Sequence, residues 1–398
     1  CMNVGCIPSK ALLRAAKVRH MATRHADYAL ETTTPPKTGR IFEQIQADLA
    51  HINESKTLRM FDKVDLVLGE GKASFADRHT VTVGDRKITA KRIYICVGTK
   101  PALPPIPGLD PDRILTNENV FHQDSVPESL LVIGGGAIAM ELAQAFARLG
   151  SDVTMVMRGP GLIWREDSDA TRMVEQQFQD EGIKLLARRT MESIEHREHE
   201  VVLRTGEDGD LAAQRVLVAT GRQHMLEPLE LEKAGVTFSN RGIQVDRYLR
   251  TTAKNIFAPG DCNGYHQFSH AAMHQGMIAV INSMMPWPMK RDFRKYVVPW
   301  TIFTDPMISW VGPRESELQS QGRKYETIIS NYGDYGAAIA EKIDVGMVKA
   351  LVTPTGRILA AGVVGEGSGE SINEWGLAIQ TRRRMSDVML LQHSFPSM

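Results

Sequence analysis

Apolar positions along this chain change period several times, and each change marks an element. Beyond Pro8, residues Ser9 to Met21 carry apolar positions at helical spacing, and a second amphipathic segment runs from Ile41 to Met60. A Thr- and Pro-rich loop, Thr32 to Pro36, separates them. Val64 to Leu68, Lys72 to Phe75, Thr80 to Val83 and Arg92 to Val97 are short, β-branched and bounded by Gly or Asp. They predict a small antiparallel meander that returns to a central strand. Pro101 to Pro107 holds four prolines in seven residues, which no helix or central strand tolerates, so it reads as a connector.

The next pattern is βαβ. A buried strand run, Leu130 to Ile133, leads into Gly134-Gly135-Gly136, a helical pattern ending at Gly150, and a second strand, Val153 to Met157. Strand signals at Lys184 to Leu186, Val201 to Arg204 and Val216 to Ala219 complete an α/β domain. Ile256 to Ala258 begins a further strand that ends in Gly260-Asp261, with a helical pattern from Ala271 to Met284 after it. Pro286-Trp287-Pro288 and the cations that follow mark a second boundary. The last hundred residues mix strands (Trp300 to Phe303, Met347 to Thr353, Ile358 to Val364) with helices (Glu315 to Gln321, Ser368 to Arg384).

Composition narrows the partners. The 398 residues suit two to three domains, and 47 basic against 47 acidic residues leave no surplus of positive charge for nucleic acid or anionic lipid. The most apolar stretch, Leu130 to Leu149, is interrupted by Glu141, Gln144 and glycines, so no membrane span is expected. Four cysteines, at 1, 6, 96 and 262, are too few and scattered for an extracellular disulfide framework, and a cytoplasmic setting is expected. The first residue is Cys1, with no initiator Met and no leader, so the expectation is a chain whose start is missing.

The candidate chemistry begins with Cys1-Met2-Asn3-Val4-Gly5-Cys6-Ile7-Pro8-Ser9-Lys10. Residues five apart in a regular helix have Cα atoms about 8.6 Å apart, whereas a disulfide needs about 4.4 to 6.8 Å. A Cys1–Cys6 bridge therefore requires a distorted turn, which Gly5 and Pro8 permit. So short a loop would make it readily reduced. Two unrelated cysteines would show the same bare spacing. The second constellation is Gly134-x-Gly136-x-x-Ala139, which follows a strand and opens a helix, the context of a dinucleotide fingerprint. Where NAD-binding versions place an acid on the ribose, this strand ends in Met157 followed by Arg158, with Arg165 further on. An apolar residue and then a cation suit a 2′-phosphate, so NADPH is the expected coenzyme and NADH the alternative; an ordinary exposed Arg158 is the plain reading.

The Cys1 to Lys10 decade resembles the active-site helix of the pyridine nucleotide-disulfide oxidoreductases, the flavoenzymes that include glutathione reductase, dihydrolipoamide dehydrogenase and mercuric reductase. The resemblance implies that Cys1 is the interchange thiol, that Cys6 lies beside the flavin, and that Lys10 reaches the flavin N5 edge with Glu141 as its acidic partner. Val216 to Arg222, with Gly221, resembles the strand end that closes the nucleotide domain, and Ile93 to Gly108, with Gly98, the earlier crossover. Thr251 to Asp261 resembles the second flavin motif, in which Asp261 accepts from ribityl hydroxyls and the helix beyond His270 points at the isoalloxazine. Gly69-x-Gly71 resembles the loop passing the adenine. His266, His270 and His274, with Cys262, are irregularly spaced for a metal site, and no metal is expected. Phe303 to Gly312 and Gly346 to Gly365 resemble the family's interface domain, which implies a homodimer.

Two departures qualify the pattern. The family's disulfide reductases carry His-Pro near the C-terminus, whereas here Phe395 precedes Pro396, as in mercuric reductases; yet Ser397 stands where those enzymes have a tyrosine. His393 lies two residues before Phe395, about 6.5 to 7 Å away in an extended segment, and is a candidate displaced base or a packed or solvated histidine. The family's opening βαβ unit, whose glycine loop holds FAD, and its final helix do not appear, so truncation at both ends is expected.

The resulting expectation is an α/β protein of two Rossmann-like three-layer nucleotide-binding domains and a C-terminal α+β dimerisation domain. FAD-domain segments cover 1–112 and 246–290, the NAD(P)-binding domain 113–245 and the interface domain 291–398. The expected activity passes electrons from NADPH through FAD to a Cys1–Cys6 disulfide and on to a small-molecule disulfide or soft-metal acceptor, nearest mercuric reductase. A dihydrolipoamide dehydrogenase-type enzyme and a flavin-free inactive fragment are the alternatives.

Overall fold

Leu130, Leu131, Val132 and Ile133 are consecutive apolar residues with at most 1% exposure, as a strand covered on both faces requires. In the computed structural model, which describes residues 3–31, 34, 36–206, 209–343 and 345–395, they form an inner strand of a four-stranded parallel sheet. Its order is Arg215–Val218, Ser129–Ile133, Asp152–Val156, Lys184–Leu186. Helix α3, Ala137–Leu149, follows the glycines and ends on Gly150 at φ +111°. The Asp167 side chain accepts from the amides of Asp169 and Ala170 to cap α4, Ser168–Asp180.

Helix α1, Cys6–Thr23, and helix α2, Ile41–Ile52, share a core with α3, in which Leu12, Ala16, Phe42, Ile45 and Phe146 are buried. The C-terminal part is a five-stranded antiparallel sheet in the order Trp300–Ile302, Ile308–Val311, Ile358–Val364, Met347–Val352, Glu326–Asn331. Helix Ser368–Gln380 covers it through Ile372 against Val311 and Val363. These elements belong to one compact unit, formed by Cys1–His51, Leu103–Gly221 and Val297–Met398.

The second unit comprises Ile52–Ala102 and Arg222–Tyr296. It contains an antiparallel sheet of Ala73–Phe75, Thr80–Val83 and Arg86–Thr89, a parallel pair of Ile256–Phe257 with Ile93–Tyr94, and helix α5, Ser269–Met284. Phe75, Leu231, Leu249, Ile256 and Ile278 lie at its core. No helix among the described residues is long and apolar enough to cross a membrane.

Several boundaries differ from the sequence expectations. Helix α1 starts one turn early because Pro8 lies in its first turn, where a missing N–H costs nothing. The helical segment expected to reach Met60 does so in three forms: α2 ends at Ile52, a π-helical turn follows over Asn53–Thr57, and a 3-10 turn over Leu58–Phe61. Val64 to Leu68 is not a strand; its alternating Val64, Leu66 and Leu68 are 55%, 43% and 72% exposed and pair with no neighbour. The final long helix stops at Gln380, before Arg382 turns to φ +60°. Helix α4 and the strand Glu326–Asn331 were not foreseen: both are rich in polar residues, and the strand is an exposed edge.

Candidate functional site

The first turn of α1 presents Cys6, which is exposed and disulfide-bonded, with Gly5 as an N-cap that offers no side-chain acceptor. Cys1 lies outside the described residues. Cys96 and Cys262 are free thiols, and burial pushes Cys262 up to about 12. Four residues after Cys6, on the same face of α1, stands Lys10. Its Nζ donates to Glu141 Oε2 at 2.9 Å, with the lysine side chain one-third exposed and the glutamate side chain 11% exposed. The backbone N–H of Phe303 donates to Glu141 Oε1 at 2.9 Å, so each oxygen of this buried carboxylate has a donor. The Lys10 ammonium lies 3.7 Å from the centroid of the Phe303 ring. Burial lowers the Lys10 pKa from its ordinary value, against an opposing pull from Glu141.

The segment carrying Phe303 is fixed to α3 by a row of side chains. Gln144 accepts from Asp305 N at 2.7 Å and donates to Asp305 O at 2.7 Å. Arg148 donates to Asp305 Oδ2 at 2.9 Å and, with Nε and Nη2, to both oxygens of Glu181 at 2.8 and 2.6 Å. Positions 141, 144 and 148 are spaced for one helix face. Sequence reading grouped Phe303 and Asp305 with the interface domain but did not bring them to Lys10. An aromatic next to a buried-turn Thr-Asp-Pro was the available signal.

The glycine turn before α3 fits a dinucleotide. Gly134 has φ +136°, and a Cβ there would come within 2.3 Å of Ala219 O, so only glycine allows this turn. A Cβ at Gly136 would meet nothing within 4 Å, and Gly136 caps α3 without a side-chain acceptor. The first-turn amides therefore face an open approach suited to a pyrophosphate. Ala139 is fully buried against the core. Met157 is buried and packs against Gly135, whereas Arg158 is exposed and Arg165 lies 4.7 Å over the Trp164 ring. Gly221 lies just past the strand Arg215–Val218.

In the second unit, Gly260 at φ +88° precedes Asp261, and a Cβ at Gly260 would press to 3.1 Å on Ala272 of α5. Asp261 Oδ2 accepts from Thr99 Oγ1 at 3.3 Å and lies 4.0 Å from Arg222 Nε. Its carboxylate is a ready acceptor for a polyol, and the N-cap of α5, Phe268, offers no side-chain acceptor to the helix amides. These residues fit a flavin's ribityl chain and ring carbonyls. His270, in the first turn of α5, stacks on Phe268 with ring centroids 5.5 Å apart. Gly98 follows the strand Ile93–Tyr94, and Gly71 precedes the strand Ala73–Phe75. No cluster of His, Cys, Asp and Glu among the described residues could hold a metal.

At the C-terminal end, His393 Nε2 lies 3.1 Å from Glu374 Oε1, both half-exposed. Phe395 is 92% exposed. Pro396 and Ser397 lie outside the described residues.

Family models match this chain along nearly its whole length. The pyridine nucleotide-disulphide oxidoreductase model matches residues 1–276, and the dimerisation domain of the same family matches residues 298–398. The chain is 34% identical over 407 residues to a mercuric reductase of Acidithiobacillus ferrooxidans, covering all of this chain and 73% of that protein. It is 32% identical to a dihydrolipoyl dehydrogenase of Vibrio cholerae, covering all of this chain and 85% of that protein. Its structure is similar to that of the HOCl-induced flavoprotein disulfide reductase RclA from Escherichia coli. The TM-score is 0.88 at 26% identity, covering all of this chain and 88% of that one.

Proposed function

Because the chain belongs to the pyridine nucleotide-disulfide oxidoreductases, a family of flavin- and pyridine nucleotide-dependent enzymes, we propose that it draws electrons from NADPH and delivers them, through a Cys1–Cys6 disulfide, to thiolate-bound Hg(II). The observation that carries this reading is the Lys10–Glu141–Phe303 cluster, one helical turn beyond Cys6. The chemistry a bound flavin supplies is acceptance of a hydride equivalent from reduced nicotinamide and release of an electron pair.

The chain's own residues do the rest. The uncapped amides at Gly136 receive the dinucleotide pyrophosphate, and Arg158 with Arg165 receive the 2′-phosphate. On the flavin side, Asp261 would accept from ribityl hydroxyls, and the first-turn amides of α5, beside His270, would serve the ring carbonyls. Gly98, where a Cβ would meet nothing within 4 Å, would leave room for the cofactor at the crossover, and Gly71 would lie in the loop passing the adenine. Lys10, held by Glu141, would supply a fixed cation to the flavin. Two electrons break the Cys1–Cys6 bond and leave two thiolates. The Cys6 thiolate is stabilised at the N-terminus of α1, and Cys1 binds the acceptor. The absence of histidine at Phe395 supports a soft-metal substrate, since ligand exchange at Hg(II) needs no protonated thiol leaving group. The dimerisation domain supports a homodimer.

A second reading, a dihydrolipoamide dehydrogenase-type enzyme, is favoured by one contact. His393 paired with Glu374 at 3.1 Å has an orienting carboxylate, as a general base needs. Anaerobic turnover with Hg(II)-thiolate, lipoamide and glutathione disulfide separates the two, and faster lipoamide turnover would replace the first reading with the second. The coenzyme assignment predicts a higher kcat/KM for NADPH than for NADH and a selective NADPH loss on Arg158→Ala. Equal constants would overturn it.

A further inference from the structure

The Lys10–Glu141 pair has a third member whose two ends do different work. Phe303 uses its backbone N–H to hold Glu141 Oε1 at 2.9 Å, which leaves Oε2 for the Lys10 ammonium at 2.9 Å. Its ring lies over that same ammonium at 3.7 Å from the centroid, well inside the roughly 6 Å range of cation–π attraction. One residue thus engages both the anion and the cation of the pair.

Its position is over-determined. Thr304, 1% exposed, donates to Pro306 O at 2.7 Å, and Asp305 is clamped by Gln144 and Arg148 of α3. Backbone fixed one and two residues downstream limits how far the Cα that carries the ring can move. Glu141 is the carboxylate paired with the ammonium, and burial works against that charge. A second, non-ionic attraction therefore matters: it holds the cation without adding another negative charge to the site.

We propose that Phe303 is a positioning residue that keeps the Lys10 ammonium charged and in place through the face of its ring. Its importance for turnover rests on the reading of Lys10 given above, whereas the contact itself is measured without turnover. The probe is the rate at which acetic anhydride acylates the Lys10 amine, read by peptide mass spectrometry on the purified protein. Replacing Phe303 by 3,4,5-trifluorophenylalanine keeps the ring's shape and weakens its electron-rich face.

If the ring stabilises the ammonium, the free-amine fraction and the acylation rate at Lys10 rise about five-fold, equivalent to about 1 kcal/mol. Phe303→Leu should raise the rate at least as much, and Phe303→Tyr should keep it near the parent value. A trifluoro variant that labels like the parent protein would overturn the proposal and reduce Phe303 to a space-filling contact. That conclusion holds even where the Leu variant folds poorly. Lost turnover with unchanged labelling would likewise count against the ring's role, while altered labelling with unchanged turnover would sink the functional reading of Lys10 instead.

Discussion

Replacing Arg148 by methionine tests the joint between α3 and the segment that carries Phe303. The Arg148 side chain is 5% exposed and that of Glu181 7%, while the Asp305 side chain is 36% exposed. Removing one partner of a buried pair costs about 3 to 5 kcal/mol, because the remaining charge stays desolvated. Here Glu181 keeps amide donors from Gln144 at 3.0 Å and Gln177 at 2.8 Å, and Asp305 reaches water. The loss should therefore fall at the lower end, about 3 kcal/mol. Urea unfolding followed by tryptophan fluorescence measures it. The double variant Arg148→Met/Glu181→Met removes both buried charges and should recover about 2 kcal/mol or more of that loss.

The deficit also has a pH signature. In the parent protein, burial raises the Asp305 carboxyl, but Arg148 and Lys17 outweigh it and hold the pKa below the ordinary aspartate value. Its contribution is present above that value and lost as pH falls through the depressed one. Without Arg148, the largest of the charges that lower the Asp305 pKa is gone, so the penalty for a charged Asp305 should shrink as pH falls toward about 4. An Arg148→Met cost under about 1 kcal/mol at neutral pH, or one that does not change with pH, would refute the reasoning.

Two further outcomes are expected. Lys349, 4% exposed, donates to Asp167 and Asp169 at 2.7 and 3.1 Å and lies 3.2 Å from a Glu315 oxygen; burial lowers its pKa, but these carboxylates outweigh it and raise it. Lys349→Met should cost about 3 to 5 kcal/mol in urea unfolding, with partial rescue by Asp167→Ser, which keeps a cap on α4. His393→Ala should lower turnover of a disulfide acceptor by about 10²-fold or more if His393 is a base, and leave Hg(II)-thiolate turnover intact; an unchanged disulfide rate discards the role.

Short-range signals made the nucleotide halves legible. The Leu130 to Ile133 run, Gly134-x-Gly136 and the Gly260-Asp261 turn each put strand, turn and helix within a few residues, so local rules suffice. Helix α4 escaped because Ala170, Met173, Val174 and Phe178 are its four apolar residues among polar neighbours, although Asp167 was an available capping signal. Val64, Leu66 and Leu68 alternate as a strand would, but alternation cannot report whether a partner strand exists. The Lys10–Glu141–Phe303 cluster joins positions 131 and 162 residues apart. Only the family resemblance connected the first two, and nothing in the linear pattern connected the third.

A flavin beside a reducible Cys1–Cys6 pair is the core of the proposed function. An absorbance spectrum of the purified protein, taken anaerobically before and after one equivalent of NADPH, tests it most directly. The expected result is a yellow protein that develops a long-wavelength band on reduction, a band lost in Cys6→Ser. A colourless protein, or a yellow one whose spectrum is indifferent to Cys6, would contradict it.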